Sequence, residues 1–211
     1  MHQKQLLFIY FLFSSITLSF AQLSSKHYIP PITTSDPIAN QIIYISTPSL
    51  ANINFTITPI GGTPIIGVAS NDSPYAYEIF NSSNGGNNSQ LHQLNSDTST
   101  ITNDKGFIIE SSEGLLSVSV RVRRALITGF GQVHAGALVS KGLSALGKEF
   151  RVGGLIPEAN GGTRLNFVSV MATENNTNIT FNIPSGTNLL NGTTTTGPVS
   201  INLNENETYI M

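Results

Sequence analysis

A serine between glycines, two nearby glutamates, scattered histidines and one run of arginines are the residues of this sequence that could do chemistry. Gly142-Leu-Ser144-Ala-Leu-Gly147 approaches the nucleophile elbow, in which a strained strand-to-helix turn exposes a serine. It has one residue too many and no α/β context, so it reads as a loop leading into a strand. His134 is a candidate general base and, with His27 and His92, a candidate metal ligand. It lies in Val133-His-Ala-Gly-Ala-Leu138 with no acidic neighbour, and reads as a packed or rim histidine. The three histidines stand too far apart to show a ligand spacing.

Glu110 and Glu113 could act as the acid and base of a glycosidase, but they flank a Ser-Ser turn and read as solvated. Asp97, Asn103 and Asp104 offer oxygen ligands for calcium without EF-hand spacing or a repeated acidic motif. Gly129-Phe-Gly131 does not continue into a dinucleotide fingerprint, because His134 stands where the third glycine belongs. Arg121, Arg123 and Arg124 form the basic cluster; the first two share a face with Ser117 and Ser119, as on a wet sheet surface. Contact with an anionic glycan is the alternative meaning of that cluster. No catalytic, cofactor-binding or metal-binding residue is assigned, no cofactor is expected, and the chain is expected not to be an enzyme.

The elements that position these residues follow from composition. Charged residues make up 10% of the 211, whereas Asn, Ser and Thr number 21, 24 and 21, which excludes a long charged helix or a coiled coil. The formal charge of −2 becomes −3 when Lys4 is removed, leaving no electrostatic footprint for nucleic acid or an acidic membrane. With no cysteine, neither disulfides nor thiolate metal sites are available.

Residues 1–21 read as a cleaved signal peptide: Lys4, an apolar run from Leu6 to Phe20, then Ser19-Phe20-Ala21 before the cut. The apolar run is too short to cross a bilayer, and no later stretch is apolar enough to do so. The mature chain is therefore expected to be extracellular or at the cell surface, with no membrane span. Seven Asn-X-Ser/Thr sequons, at Asn54, Asn81, Asn87, Asn175, Asn178, Asn191 and Asn206, would be glycan acceptors in a eukaryotic secretory route, but many arise by chance at this composition and they are not counted as sites.

Residues 22–39, with Pro30, Pro31 and Pro37 among Ser and Thr, suit an extended leading segment. From residue 40 onward the dominant period is two. Strands are expected at Gln41–Thr47, Ile53–Thr58, Thr63–Ser70, Tyr75–Phe80, Gly106–Ser111, Leu116–Val122, Val133–Val139, Glu149–Val152, Asn166–Ala172, Asn178–Ile183, Val199–Leu203 and Glu207–Met211. In Leu116-Ser-Val118-Ser-Val120-Arg-Val122 the even positions are apolar and the odd ones polar, so one face is buried. Ala135–Leu146 is the one segment that could be argued as helix, against Gly136 and Gly142. The fold class is all-β, an antiparallel β-sandwich-like module. The loop from Asn81 to Lys105 contains little that can pack; it is expected to be disordered, or else a binding loop anchored by Leu91, His92 and Leu94.

Gln41–Ile57 aligns with Phe167–Ile183 at an offset of 126, placing Ile45 on Met171 and Ile53, Phe55 and Ile57 on Ile179, Phe181 and Ile183. Both copies read as strand, polar turn, strand, so a duplicated β-hairpin unit is expected. The second copy stops at Met211 inside a strand, which predicts that the chain is the front part of a longer protein.

Three motifs in order carry a family resemblance: Ala145-Leu-Gly-Lys-Glu-Phe-Arg-Val152, Val170-Met-Ala-Thr-Glu-Asn-Asn-Thr-Asn-Ile-Thr-Phe-Asn-Ile183, and Ile201-Asn-Leu-Asn-Glu-Asn-Glu-Thr-Tyr-Ile-Met211. Together, over roughly residues 40–211, they resemble the N-terminal domain of the IgG Fc-binding protein family, and Gly106–Ser111 before Leu116 looks like its intervening segment. Glu113-Gly-Leu115 replaces the usual Lys-Pro, Asn204 and Glu205 stand near the expected glycine, and the later part of the module is absent. The resemblance implies an extracellular, repetitive β module without catalytic residues, of a kind found in mucus-type proteins and in bacterial surface proteins associated with gliding motility. The Ala21-Gln22 junction and the Asn, Ile and Thr bias favour the bacterial type.

The expected function is a secreted or cell-surface, non-enzymatic β module contributing to adhesion or to protein or glycan binding within a larger surface protein. The alternatives are a carbohydrate-active enzyme and a purely structural spacer domain. The expected partner is an extracellular protein or glycan, not nucleic acid.

Overall fold

A computed structural model describes residues 22–34, 38–81, 89–124, 135–153 and 165–211. In chain order the strands are β1 (Lys26–Ile29), β2 (Ile38–Ser46), β3 (Ile53–Pro59), β4 (Ile65–Ala69), β5 (Tyr75–Asn81), β6 (Ile101–Thr102), β7 (Phe107–Glu110), β8 (Ser117–Arg124), β9 (Ala135–Ser140), β10 (Ser169–Met171), β11 (Thr177–Phe181), β12 (Val199–Leu203) and β13 (Thr208–Ile210). All named pairings are antiparallel. The expected all-β, sandwich-like architecture is what the chain forms.

Two four-stranded sheets face each other, one in the order β1-β7-β3-β4 and the other β5-β2-β8-β9. Alternation dictates which side chains meet between them. Ile53, Phe55, Ile57, Phe107 and Ile109 come from the first sheet; Ile43, Ile45, Val118 and Val120 come from the second. Edge-to-face ring contacts cross the gap, Phe55 to Tyr75 at 5.3 Å between centroids and Tyr77 to Phe107 at 6.1 Å. Burying side chains of this size contributes about 1.5–3 kcal/mol each, which is how a cysteine-free sandwich holds together. Gly67 stands opposite Phe55 in the ladder, and a Cβ there would lie 2.4 Å from the Phe55 ring, so glycine makes room for the aromatic.

Ile45 and Ile53 lie on strands of different sheets, which corrects the expected hairpin. The polar turn after β2 does not fold that strand back onto β3; it arches across the core. β2 pairs with β5, while β3 pairs with β4, a nested arrangement. The same nesting occurs downstream: β10 pairs with β13, and between them β11 pairs with β12. Ile179 and Phe181 face a second core with Ala172, Leu203 and Tyr209, in keeping with the 126-residue offset for β3 and β11. That offset fails in the preceding strand. Val170 and Ala172 join the second core, whereas Met171 lies against Gly106 of the first unit, so the inward row is displaced by one residue from Ile45. The arch in the second unit differs in length by one residue, and in a strand one residue exchanges the faces.

Several segments differ from the sequence expectation. Residues 26–29, read as part of an extended leader, form β1, with His27 and Ile29 completely buried. Of the loop from Asn81 to Lys105, residues 82–88 lie outside the described residues; the rest, expected to be disordered, packs: Leu91 belongs to the first core, His92 is buried, and of the three anchors of the alternative binding loop Leu94 is exposed. Short β6 in this stretch pairs with β13, so it joins the two units. Ala135–Leu146 is not helical; β9 runs into a single 3-10 turn, Gly142–Ala145. Glu149–Val152 forms no strand: Phe150 and Val152 are 64% and 63% exposed, and among the described residues no strand pairs with them to reward their alternation. The signal-peptide residues 1–21 lie outside the described residues.

Candidate functional site

The candidate carboxylates are held apart by separate partners. Glu110 ends β7 and pairs with Lys26 of β1 at 3.1 Å, both half exposed. Glu113, in the turn after β7, accepts the Asn54 backbone N–H at 2.8 Å and the Asn54 side-chain amide at 2.8 and 3.0 Å. The backbone N–H foremost, then the side-chain amide, holds the Glu113 carboxyl below its ordinary pKa. Both glutamates thus clasp neighbouring strands on the outside of the first sheet.

Ser144 sits in the 3-10 turn and is exposed, with no strained elbow around it. Gly142 has φ of +55°, and a Cβ there would approach Ser24 Cβ to 2.1 Å. Ser24 Oγ accepts the Leu143 N–H at 3.2 Å and donates to the Lys26 carbonyl at 2.9 Å, which fastens the turn to β1. Glycine is required here because the turn must adopt a left-handed conformation at close quarters.

The serine–histidine pair that the fold does assemble involves other residues. His27 of β1 and Ser140 of β9 lie 113 residues apart in sequence, yet Nδ1 and Oγ are 3.0 Å apart and buried. Nε2 lies 2.9 Å from the Leu116 carbonyl, which can only accept. Nε2 therefore carries the proton and Nδ1 accepts from the Ser140 hydroxyl, whose oxygen accepts the Gly142 N–H at 3.2 Å. Burial lowers the imidazole pKa, and the hydrogen bonds to the backbone oppose this without reversing it. A neutral ring with both nitrogens engaged, and a carbonyl where a catalytic pair would have an acid, makes this a structural clasp between the two sheets.

His92 is buried, with Nε2 3.3 Å from Thr34 Oγ1. Asp97 accepts from Ser96 Oγ at 2.8 Å, and Asn103 and Asp104 occupy exposed bends. Among the described residues no three His, Asp or Glu side chains gather as metal ligands. Arg121 lies over the Tyr44 ring at 5.4 Å, and Arg123 is exposed beside it on the wet face of the second sheet. His134, Gly129 and Gly131 lie outside the described residues, as does the Arg124 side chain.

What sequence reasoning did not single out is a run of exposed apolar side chains from the edge strand onward: Leu138, Val139, Leu143, Leu146, Phe150 and Val152. The sequence marked this stretch as strand-forming, but not that Leu138 and Val139 would be exposed while Ser140 of the same strand is buried. Exposed large apolar side chains gathered in one stretch of chain point to an interaction surface.

Among the described residues no helix is long and apolar enough to cross a membrane. No curated protein and no solved structure matches the chain. Residues 136–211 match the family described as IgGFc binding protein, the family to which the three ordered motifs pointed, and this stretch contains the exposed apolar run as well as the second strand nest.

Proposed function

We propose that the chain is an extracellular, non-enzymatic β module that binds a protein partner, contributing to adhesion within a larger surface protein. The match of residues 136–211 to a family named for binding an antibody Fc region carries this reading. It is supported by Leu138, Leu143, Leu146, Phe150 and Val152, which present apolar area to solvent within the matched stretch. The glutamates and the buried serine–histidine pair, meanwhile, are engaged in bonds between strands. Apolar and aromatic side chains of this kind supply the centre of protein interfaces.

Interferometry with immobilised chain against purified IgG Fc and a panel of extracellular matrix proteins tests it, alongside a glycan array. Saturable binding of a protein, weakened at least tenfold by the double substitution Leu146→Ser, Phe150→Ser, is the expected result. A blank protein panel with glycan binding on the array would replace the protein reading with a lectin one.

A further inference from the structure

On its way from the first unit to the second, the chain passes through a stretch that neither unit shelters. Every residue from 143 to 153 is exposed, and residues 146–153 belong to neither strand nor helix. Lys148 and Arg151 lie in the middle of it. The other described basic residues are held differently. Lys26 is in β1, and Arg121, Arg123 and Arg124 are in β8, which pairs on both sides with β2 and β9. Lys105 Nζ donates to the Ser89 carbonyl at 2.8 Å, and Lys141 stands between the buried Ser140 and Gly142. A peptidase must draw its substrate into a cleft as a separate, extended chain, so a bond inside a paired strand is reached only after that strand opens. Exposed irregular chain needs no such opening.

We propose that residues 148–152 are a processing site for an endopeptidase that cuts after basic residues, and that the cut leaves a two-chain module. Hydrolysis consumes one water: the peptide bond after Lys148 or Arg151 breaks, a carboxylate forms on that residue, and a protonated amine forms on Glu149 or Val152. The parts on either side are joined without this bond. Ile101 and Thr102 of β6 pair with Tyr209 and Thr208 of β13, and the two threonine hydroxyls are 2.7 Å apart. The Ser99 N–H donates to the Ile210 carbonyl at 2.7 Å, and Met171 lies against Gly106. The residues at the cut are exposed, so breaking the bond opens neither core. The inference goes beyond the protein-binding reading and stands whether or not Leu146 and Phe150 hold a partner.

Trypsin is the probe, added at low ratio to the full chain under native conditions, with fragments identified by intact mass and amino-terminal sequencing. The expected first cut within residues 22–211 falls after Lys148 or Arg151, and the two fragments elute together on gel filtration in buffer but separately in urea. The double substitution Lys148→Gln, Arg151→Gln should slow that first cut at least tenfold. A first cut elsewhere in residues 22–211, or an equally fast one in the double variant, would overturn the site, and fragments that separate in buffer would overturn the two-chain module. Chain recovered from the cells that make it is expected to carry a new amino terminus at Glu149 or Val152. Recovery of uniformly continuous chain from those cells would overturn the processing step.

Discussion

The imidazole of His27 and the hydroxyl of Ser140 meet 3.0 Å apart in the interior, joining the edge strand of one sheet to the edge strand of the other. A sandwich without disulfides needs some device at its margins, where apolar cover is thinnest. Here a neutral histidine fills that place, fixed from above by Ser140 and from below by the Leu116 carbonyl.

Removing either partner leaves the other buried without its hydrogen bond. Ser140→Ala should cost about 1–2 kcal/mol of unfolding free energy, and His27→Ala, which also leaves a cavity, about 2–4 kcal/mol. Urea denaturation of the variants measures both. A double variant losing less than the sum of the two single ones would show that they act as a pair.

The same histidine makes stability depend on pH. Because burial lowers its pKa in the folded chain, the unfolded chain takes up the proton first as pH falls. The His27 contribution is full above about pH 6.5, declines below it, and levels off once the folded histidine also protonates. Midpoints of urea unfolding between pH 7.5 and 5 should therefore fall more steeply for the natural chain than for His27→Gln. Glu113, whose pKa is lowered by Asn54, loses its own contribution in the lower carboxylate range, so the two effects separate along the pH axis.

Gly106 joins the two units. It has φ of +97°, and a Cβ would sit 2.6 Å from both the Ile29 carbonyl oxygen and Met171 Cε. Gly106→Ala is expected to cost about 1–3 kcal/mol from backbone strain, with clashes adding to it. Calorimetry would register a lowered transition; an unchanged one would contradict the close approach.

Phe55 and Phe181 offer an internal comparison. Both are inward aromatics of the corresponding strand, touching Tyr75 and Tyr209 at 5.3 and 5.6 Å between centroids. Phe55→Ala should cost about 3–5 kcal/mol, as expected for a buried ring. Phe181→Ala should cost less than half as much, because the ring is only half-buried.

Much of this architecture was legible in the chain. Leu116 to Val122 alternates without interruption and all but its first residue lies in β8, and Ile53, Phe55 and Ile57 point inward as their spacing requires. Local pattern could not reveal which strands would be neighbours. A polar turn between two alternating runs suits a hairpin and an arch equally, and β2 and β3 take the arch. Pro30 and Pro31 masked β1 by suggesting one extended entry segment throughout, whereas Ile29, just before them, ends a paired strand. Phe150 and Val152 alternate as a strand would, but alternation forms a strand only beside a partner. The pairing of His27 with Ser140 had no sequence signal at all, because the chain separation leaves it entirely to the fold.

Amide hydrogen exchange on the isolated full chain tests the two-nest account most directly. The account predicts slow exchange along β2, β3, β7 and β8, and markedly faster exchange in Ser169–Met171 and Thr177–Phe181, which among the described residues pair on one side only, although both units share one strand plan. Equal, deep protection of β3 and β11 in the monomeric chain would contradict it.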